Sequence, residues 1–223
     1  MSLIQILFED DDFLFANKEA GIPVHSTYDK KRPDFFSLLC KQLDRSPQNT
    51  ERYLSLHNRL DVETSGIVAL AKSFRGNEAL RSLFQDRLIE KNYWAITSNK
   101  ETHDKKWIVE NFLAEKDKKM IAVRSGGDKA ITHFQILSEG DKYFLIEAKP
   151  LTGRRHQIRS HLESSKLPIV GDSLYGSKIS GVRTLLHAKA LSFVHPTTQK
   201  KLSIEAPLPQ DFLAYSEYLD ISL

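Results

Sequence analysis

Cysteine is almost missing from this sequence: Cys40 is the single example among 223 residues. One cysteine allows neither an internal disulfide nor a cysteine-based zinc site, which suits a reducing cytoplasm. Long apolar runs are missing too, because no stretch approaches the roughly 20 residues needed to span a bilayer. The opening letters, MSLIQILFEDDDF, lack the basic start of a signal peptide. We therefore expect a cytoplasmic protein that does not partner with a membrane.

Several motifs of cofactor and metal enzymes are also absent. The sequence has no G-x-x-x-x-G-K-[ST] phosphate loop, no G-x-G-x-x-G fingerprint, no H-E-x-x-H pair and no G-x-S-x-G nucleophile elbow. His156 and His161 stand five residues apart, so on a helix they diverge and do not converge on one metal ion. These absences disfavour most classes of cofactor-dependent enzyme.

The composition is that of an ordinary globular protein, with 40% hydrophobic and 27% charged residues and a net charge of +3. The charge is unevenly distributed. Residues 1–63 carry 8 basic and 11 acidic side chains, and residues 64–223 carry 24 basic and 18 acidic ones. A basic surplus in part of a chain suits a polyanionic partner, although many proteins without one carry as much.

Hydrophobic spacing predicts both helices and strands. One helix is predicted over residues 35–43, with Asp34 as its N-cap and Cys40 on its buried face. A second is predicted within residues 75–88, with Leu80, Leu83, Phe84 and Leu88 on its apolar face, and residues 151–164 are predicted to form a turn that leads into a basic helix. Strands are predicted at 4–8, 13–16, 67–71, 93–97, 107–113, 120–124, 131–137, 143–149, 190–194 and 202–205. Short turns between residues 107 and 149 favour an antiparallel meander there, and the order of elements favours one continuous sheet with helices on it.

One acidic residue stands out by its position. Asp61 follows Arg59 and Leu60 and precedes a turn and a buried strand, so its carboxylate lies on a loop beside a rigid element. Such placement is typical of functional residues. A turn-capping Asp61 beside a solvated Arg59 fits the same spacing.

A basic cluster covers residues 152–159, where TGRRHQIR contains three arginines and a histidine but no acid. No acid stands at helical spacing before Glu163, and the glycine suits the start of a helix that faces an anion. The residue types leave open whether this cluster contacts phosphate or forms a solvated helix face.

Eight motifs occur in a fixed order along the chain: ILFEDDDFLFANKEAGIPVHS, HNRLDVETSGIVALAKS, EKNYWAI, GDKAITHFQIL, LTGRRHQIRSHL, PIVGDSLYG, LLHAKALSFVHP and EAPLPQDF. Together they resemble the RluA family of RNA pseudouridine synthases. The resemblance implies the α/β (α+β) pseudouridine synthase fold: a long mixed, mostly antiparallel sheet with flanking helices and a central catalytic cleft. It also implies a single catalytic domain over residues 1–223, without the N-terminal S4 domain of several relatives.

The resemblance implies roles for individual residues. Asp61 is expected to be the catalytic carboxylate, Tyr93 to stack on the flipped uracil, and Arg159 to pair with the aspartate. Arg59 is expected to fill the gap left by the flipped nucleotide, and Ile158 to line the pocket. The remaining candidates for contact with RNA are Arg154, Arg155, His156, Gln157, Lys72 and Arg87.

The implied activity is the isomerisation of specific uridines in tRNA or rRNA to pseudouridine. This reaction breaks the C1′–N1 bond and joins C5 to C1′, so no cofactor and no metal is expected. An ionised Asp61 would form a covalent adduct or accept a proton, and a nearby guanidinium would favour its charge. We expect a monomer that binds RNA and not DNA, while the sequence leaves the target uridine open.

Two other functions compete with this interpretation. A non-catalytic RNA-binding or RNA-chaperone protein could retain the same fold. An aspartate-nucleophile hydrolase is disfavoured because it usually needs a metal-binding acidic cluster, and the acidic run at residues 9–12 is typical of a hairpin turn. Two departures from the family pattern stand near the site. Asn58 precedes the Arg-Leu-Asp motif where histidine is usual, and Arg155 replaces a smaller polar residue.

Overall fold

A computed structural model describes residues 3–26, 31–98 and 104–223. Residue contacts divide the chain into two compact units. Unit 1 comprises Met1–Glu90 and Ala188–Pro207, and unit 2 comprises Lys91–His187 and Leu208–Leu223. Each unit has its own hydrophobic core.

The predicted strands and helices lie close to those of the described residues, which also form a two-residue strand at 55–56 and a helix at 210–218 that were not predicted. The strands are β1 (Ile6–Glu9), β2 (Phe13–Lys18), β3 (Ser55–Leu56), β4 (Ser65–Ala71), β5 (Glu90–Ser98), β6 (Lys106–Lys116), β7 (Lys119–Val123), β8 (Asp128–Glu139), β9 (Tyr143–Pro150), β10 (Leu186–Val194) and β11 (Lys201–Glu205). The helices are α1 (Phe35–Leu43), α2 (Phe74–Gln85), α3 (Gln157–Ser164) and α4 (Gln210–Tyr218), with a 3₁₀ turn at Ser173–Tyr175. No helix in these described ranges is long and apolar enough to cross a membrane. The α/β class is confirmed.

Unit 1 is built from antiparallel strand pairs. Its β2 pairs with both β1 and β4, β3 pairs with β4, and β10 pairs with β11. All seven residues of β4 are buried. Phe13 and Phe15 of β2 pack in the same core as Leu80 and Leu83 of α2, which explains the apolar face of that helix.

The acidic run at residues 9–12 is the hairpin turn that was predicted. Asp10 Oδ1 accepts the N–H groups of Asp12 and Phe13 at 2.8 and 2.7 Å. The carboxylate of Asp12 accepts from the Ser73 hydroxyl and from the guanidinium of Arg75. Asp10 therefore closes the turn, and Asp12 holds the start of α2 against it.

The helix α1 confirms its predicted bounds and its cap. Asp34 accepts from the N–H of Ser37 at 2.9 Å and from the hydroxyl of the same residue. Cys40 is half-buried rather than fully buried. Burial, with a smaller contribution from the nearby Asp34 carboxylate, raises the pKa of the Cys40 thiol, so the thiol form predominates at neutral pH.

The helix α2 ends earlier than the hydrophobic spacing predicts. Leu88 was expected on its apolar face, but it lies beyond the helix and is 60% exposed. The chain leaves the helix because Arg87 adopts a left-handed conformation with φ of 59°. The N–H of Arg87 then donates to the Phe84 carbonyl, and that of Leu88 to the Leu83 carbonyl. This pair of bonds is a Schellman motif.

Unit 2 contains an antiparallel sheet in the order β5-β9-β8-β6-β7. The predicted meander is wrong in one respect, because β8 pairs with β6 and not with β7. The long strand β6 makes this possible: residues 106–113 pair with β8, and residues 112–116 pair with β7. The core joins this sheet to α3 through Leu162 and to α4 through Phe212.

Candidate active site

Asp61 lies on the loop between β3 and β4 in unit 1. The Asp61 carbonyl accepts the N–H of Thr64 at 3.1 Å, which closes the turn that leads into the buried strand β4. The Asp61 side chain is half-buried, between the exposed Arg59 and the buried Thr64. The structure therefore confirms that this carboxylate stands on a loop attached to a rigid strand.

Asn58 anchors this loop to β4. Its Oδ1 accepts the N–H of Ala69 at 2.7 Å, and its Nδ2 donates to the Ile67 carbonyl at 3.3 Å. The neighbouring His57 donates its backbone N–H to the Ala69 carbonyl at 3.0 Å. The amide of Asn58 thus continues, with side-chain atoms, the pairing that β3 begins. This is the structural consequence of asparagine at the position before Arg59.

The imidazole of His57 points to α2. Its Nε2 donates to Asn77 Oδ1 at 3.0 Å. Burial lowers the pKa of His57, and the hydrogen bond to Asn77 opposes that change in part. The neutral ring therefore donates a hydrogen bond that connects the segment before the Asp61 loop to α2.

Lys18 also supports the Asp61 loop. This lysine is fully buried, with 0% exposure. Its ammonium donates to the carbonyls of Glu19, Ile22 and Val62 at 2.8, 2.8 and 3.2 Å. The N–H of Gly21 also donates to the Val62 carbonyl, at 2.8 Å. The residue after Asp61 is thereby fixed to the loop that follows β2.

Sequence reasoning missed Lys18 because a lysine at the end of a strand is usually solvated. It also missed the need for glycine at position 66. Gly66 has φ of 113°, and a Cβ there would lie 2.3 Å from the carbonyl oxygen of Ala188. Only glycine permits that close backbone approach at the start of β4.

Two basic residues proposed for RNA contact differ in their surroundings in unit 1. Arg87 is exposed. Lys72 is largely buried, and its ammonium lies 2.5 Å from Glu9 Oε1 and donates to the Asp10 carbonyl at 2.6 Å. Lys72 therefore holds the β1–β2 turn, and the structure does not support its predicted contact with phosphate.

Tyr93 lies on β5 in unit 2, opposite Ala148 of β9. The ring is half-buried and packs against the core of the unit. Two residues earlier, Lys91 donates to the Thr152 carbonyl at 3.0 Å, which ties β5 to the loop before α3. The strand that carries Tyr93 is thus connected directly to the basic cluster.

Gln157 fixes the shape of that loop. Its Oε1 accepts from the Thr152 hydroxyl at 2.7 Å and from the N–H of Arg154 at 3.0 Å. Its Nε2 donates to the Ile131 carbonyl at 3.0 Å and to Thr132 Oγ1 at 2.9 Å. The amide is buried and makes these four bonds within the protein, so it acts as a positioning group.

Arg154 and Arg155 point outward from the loop and are paired with acids of other strands. Arg154 Nη1 lies 3.7 Å from Asp128 Oδ1, and its Nε donates to the Lys129 carbonyl at 3.1 Å. Arg155 Nη1 donates to Glu115 Oε1 at 2.5 Å. The sequence appeared to lack compensating acids because these acids come from β6 and β8 and not from helical spacing.

The helix α3 begins at Gln157, four residues after the glycine that was expected to start it. His156 precedes it with φ of 49°, and its Nδ1 lies 3.1 Å from the hydroxyl of Tyr175. Residues 157–162 are all buried, so α3 is not a solvated basic face. Ile158 belongs to the core of unit 2.

Arg159 is held by Asp172 within unit 2. Its Nε donates to Asp172 Oδ2 at 2.7 Å, and its Nη2 donates to Oδ1 at 2.8 Å. The guanidinium also lies over the ring of Tyr175, 5.0 Å from its centroid. Sequence reasoning missed Asp172 and Tyr175, although both stand in the motif PIVGDSLYG. Within residues 3–26, 31–98 and 104–223, no three His, Cys, Asp or Glu side chains group as metal ligands.

Comparison with known proteins identifies similar chains. Residues 12–164 match the family described as RNA pseudouridylate synthase. Ribosomal large subunit pseudouridine synthase D of Neisseria meningitidis is 32% identical over 227 residues, covering 93% of this chain and 59% of that relative. Ribosomal large subunit pseudouridine synthase C of Buchnera aphidicola is 35% identical over 219 residues, covering 93% of this chain and 68% of that relative.

A solved structure, Human RNA Pseudouridylate Synthase Domain Containing 4, superimposes with a TM-score of 0.80 at 26% identity. The match covers 98% of this chain and 94% of the human one. The chain therefore spans nearly all of that structure but only 59% of the length of the Neisseria relative. Asp61, Arg59, Tyr93 and Arg159 all fall inside the family match at residues 12–164.

Proposed function

Because the chain belongs to the family of RNA pseudouridylate synthases, we propose that it isomerises uridine to pseudouridine in RNA, with Asp61 as the catalytic carboxylate. The observation that carries this proposal is the Asp61 loop itself. A half-buried carboxylate stands there on a turn held by Asn58, Lys18 and β4. Such fixation suits a group that must meet one atom of a substrate reproducibly.

The main requirement of the reaction is a charged carboxylate held in a fixed position. The ionised Asp61 attacks the nucleotide or removes a proton from it while the C1′–N1 bond is exchanged for a C1′–C5 bond. We assign to Arg159 the role of the positively charged residue in this chemistry. All non-hydrogen atoms of the uridine stay in the nucleotide, and the proton lost from C5 is balanced by a proton gained at N1, so the reaction needs no group donor.

Tyr93 and Arg59 offset the cost of taking the base out of its stack. Flipping a nucleotide costs a few kcal/mol, and a base stacked on an aromatic ring regains about 1–3 kcal/mol. We assign the half-buried ring of Tyr93 to the flipped uracil, with Ile158 beside it. The exposed side chain of Arg59 can enter the vacated position in the RNA.

The loop at residues 152–156 supplies the backbone contacts. Arg154 and Arg155 are exposed and can exchange their surface carboxylates for phosphates at little cost, because exposed ion pairs contribute only about 0–1 kcal/mol. His156 lies beside them at the start of α3. Gln157 contributes by holding this loop and not by touching RNA. These contacts position the RNA without reading its sequence.

We propose large-subunit ribosomal RNA as the substrate, because two similar proteins are named as ribosomal large subunit pseudouridine synthases. The protein would act on it in the cytoplasm as a monomer. The test is to map pseudouridines in ribosomal and transfer RNA from cells with and without this protein. Loss of defined ribosomal sites, restored by the purified protein on the matching transcript, supports the proposal. Loss confined to transfer RNA overturns the choice of substrate, and no loss in either RNA favours the non-catalytic RNA-binding protein.

A further inference from the structure

The motif PIVGDSLYG has so far been given no role in the proposed reaction. We infer that residues 171–175 form a cradle that positions Arg159, with Asp172 as its principal positioning residue and the ring of Tyr175 as its floor. This inference rests on the proposed function, because it assigns the cradle a purpose through Arg159. Neither Asp172 nor Tyr175 needs to touch the RNA for this purpose.

Asp172 determines the direction of the guanidinium. The side chain of Asp172 is 1% exposed and that of Arg159 is 9% exposed, so the pair is shielded from water. The two parallel bonds, at 2.7 and 2.8 Å, use both carboxylate oxygens and fix the plane of the guanidinium. They occupy the edge formed by Nε and Nη2. Any contact of Arg159 with the catalytic carboxylate or with RNA must use the remaining N–H groups on Nη1 and Nη2.

Tyr175 limits the position of the Arg159 guanidinium perpendicular to the plane of the Tyr175 ring. Its ring faces the guanidinium at 5.0 Å, within the range of a cation–π interaction. The ring is anchored because its hydroxyl contacts two residues, Met120 and His156. The N–H of Met120 donates to it at 2.7 Å, and the Nδ1 of His156 lies 3.1 Å away. The floor of the cradle is therefore fixed to β7 and to the basic loop.

The local backbone fixes Asp172 and Tyr175 relative to each other. Asp172 Oδ1 accepts the N–H of Tyr175 at 3.2 Å and so caps the 3₁₀ turn. Gly171 has φ of 81°, and a Cβ there would lie 2.0 Å from the Arg183 carbonyl oxygen. Only glycine allows the chain to pass Arg183 so closely before it presents Asp172. Gly171 thus allows the close backbone approach, Asp172 binds the guanidinium, and Tyr175 lies beneath it.

A buried ion pair is by itself weak evidence of function, but unit 2 contains a second Arg–Asp pair, in which the Arg183 side chain is 9% exposed and that of Asp211 is 44% exposed, that serves as a control. Arg183 Nε donates to Asp211 Oδ2 at 2.5 Å, and its Nη2 donates to Oδ1 at 3.1 Å. This pair has the same two-bond geometry but lies outside the basic motif. The two pairs therefore allow the structural and the functional effects of breaking an Arg–Asp pair to be compared.

The test compares Asp172→Asn with Asp211→Asn by kcat, KM and RNA affinity on one uridine-containing transcript. The amide in D172N would retain an oxygen that can cap the 3₁₀ turn but would lose the charge and one acceptor. We expect kcat of D172N to fall roughly 10–100-fold, as for a misplaced catalytic group, with RNA affinity unchanged within about twofold. D211N is expected to retain both values. Wild-type kcat in D172N would overturn the inference.

A double-mutant cycle separates positioning from a general loss of stability. If Asp172 acts through Arg159, D172N causes no further loss of kcat once Arg159→Gln is present. Independent, multiplying losses would overturn the inference. Should D172N unfold, Asp172→Glu keeps the charge at a different reach, and the same cycle is run with it. The Asp61→Asn variant is measured in parallel: if it retains full activity, the proposed role of Asp61 fails, whereas an inactive D61N with a fully active D172N refutes only the cradle.

Discussion

The imidazole of His161 accepts a hydrogen bond from the hydroxyl of Thr132, with Nδ1 and Oγ1 2.9 Å apart in the interior of unit 2. The direction follows from the ring itself: burial keeps the imidazole neutral, and its Nε2 faces the amide oxygen of Asn111, so Nδ1 carries the lone pair that accepts the Thr132 proton. On the other side, Nε2 of His161 donates to Asn111 Oδ1 at 3.1 Å. This continuous chain links the loop of the basic cluster to β8 and β6, and it requires a neutral imidazole.

The first prediction concerns the pH dependence of stability. Burial lowers the pKa of His161 from 6.5 to about 4. Between these values the unfolded chain binds a proton at His161 and the folded chain does not, so stability falls as the pH is lowered through this window. The full shift corresponds to about 3 kcal/mol in the free energy of unfolding. His161→Gln is expected to flatten this part of the curve, measured by urea unfolding from pH 7 to pH 4. Equal slopes for the two proteins would contradict the assignment.

The second prediction concerns the amide that holds the Asp61 loop. Asn58→Ala removes the partner of a β4 N–H and of a β4 carbonyl, so we expect a loss of about 1–3 kcal/mol in the free energy of unfolding. The matched control is Asn17→Ala, since the Asn17 amide donates to Gln5 at an exposed position. Chemical denaturation of both variants checks the difference. If Asn17→Ala lowers the free energy of unfolding as much as Asn58→Ala does, the Asn58 amide has no particular role in holding the loop.

The third prediction concerns the buried lysine beneath the same loop. Lys18→Met keeps the length of the side chain but deprives three carbonyls of their donor, so we expect a destabilisation of about 3 kcal/mol or more. Hydrogen exchange should also quicken at the N–H of Gly21 and of Thr64, which close this part of the loop. The exposed Lys41 provides the control, and Lys41→Met should change neither quantity. Unchanged hydrogen exchange at Gly21 and Thr64 in Lys18→Met would show that Lys18 does not support the loop.

The fourth prediction is a gain of stability. Arg87 holds the left-handed position at the end of α2, where glycine is favoured, so Arg87→Gly is expected to stabilise the protein by about 1 kcal/mol. The same change in the helix interior, Arg81→Gly, is expected to cost about 1 kcal/mol. Thermal unfolding of both variants gives the comparison. A loss of stability in both would contradict the expectation that glycine is favoured over arginine at position 87.

Local patterns were sufficient to locate the described strands other than β3, together with α1 and its Asp34 cap, because turn residues and hydrophobic spacing act over a few positions. They failed where a partner lies far away in the chain. Arg155 meets Glu115, Lys18 meets the Val62 carbonyl and Arg159 meets Asp172, and no periodicity encodes such pairings. The candidate residues themselves came from motif resemblance, which names a residue but not the groups that hold it.

The turn at the end of α2 shows a second reason for failure. Leu88 continues the apolar spacing of Leu80 and Leu83, so periodicity alone extends the helix to it. The Schellman hydrogen bonds end the helix first, although the left-handed residue is Arg87 and not the glycine that usually signals such an end. Because Arg87 is not a residue type that indicates a left-handed conformation, the sequence alone does not predict this helix end.

The most direct test of the central claim is the conversion of uridine in a ribosomal RNA transcript by the wild-type protein and by Asp61→Asn. Glu63→Gln, an exposed change on the same loop, serves as the control. We expect pseudouridine from the wild type and from Glu63→Gln, and none from Asp61→Asn, which should still fold and bind the transcript within about twofold of the wild-type Kd. Pseudouridine formed by Asp61→Asn at the wild-type rate would contradict the assignment of Asp61 as the catalytic carboxylate.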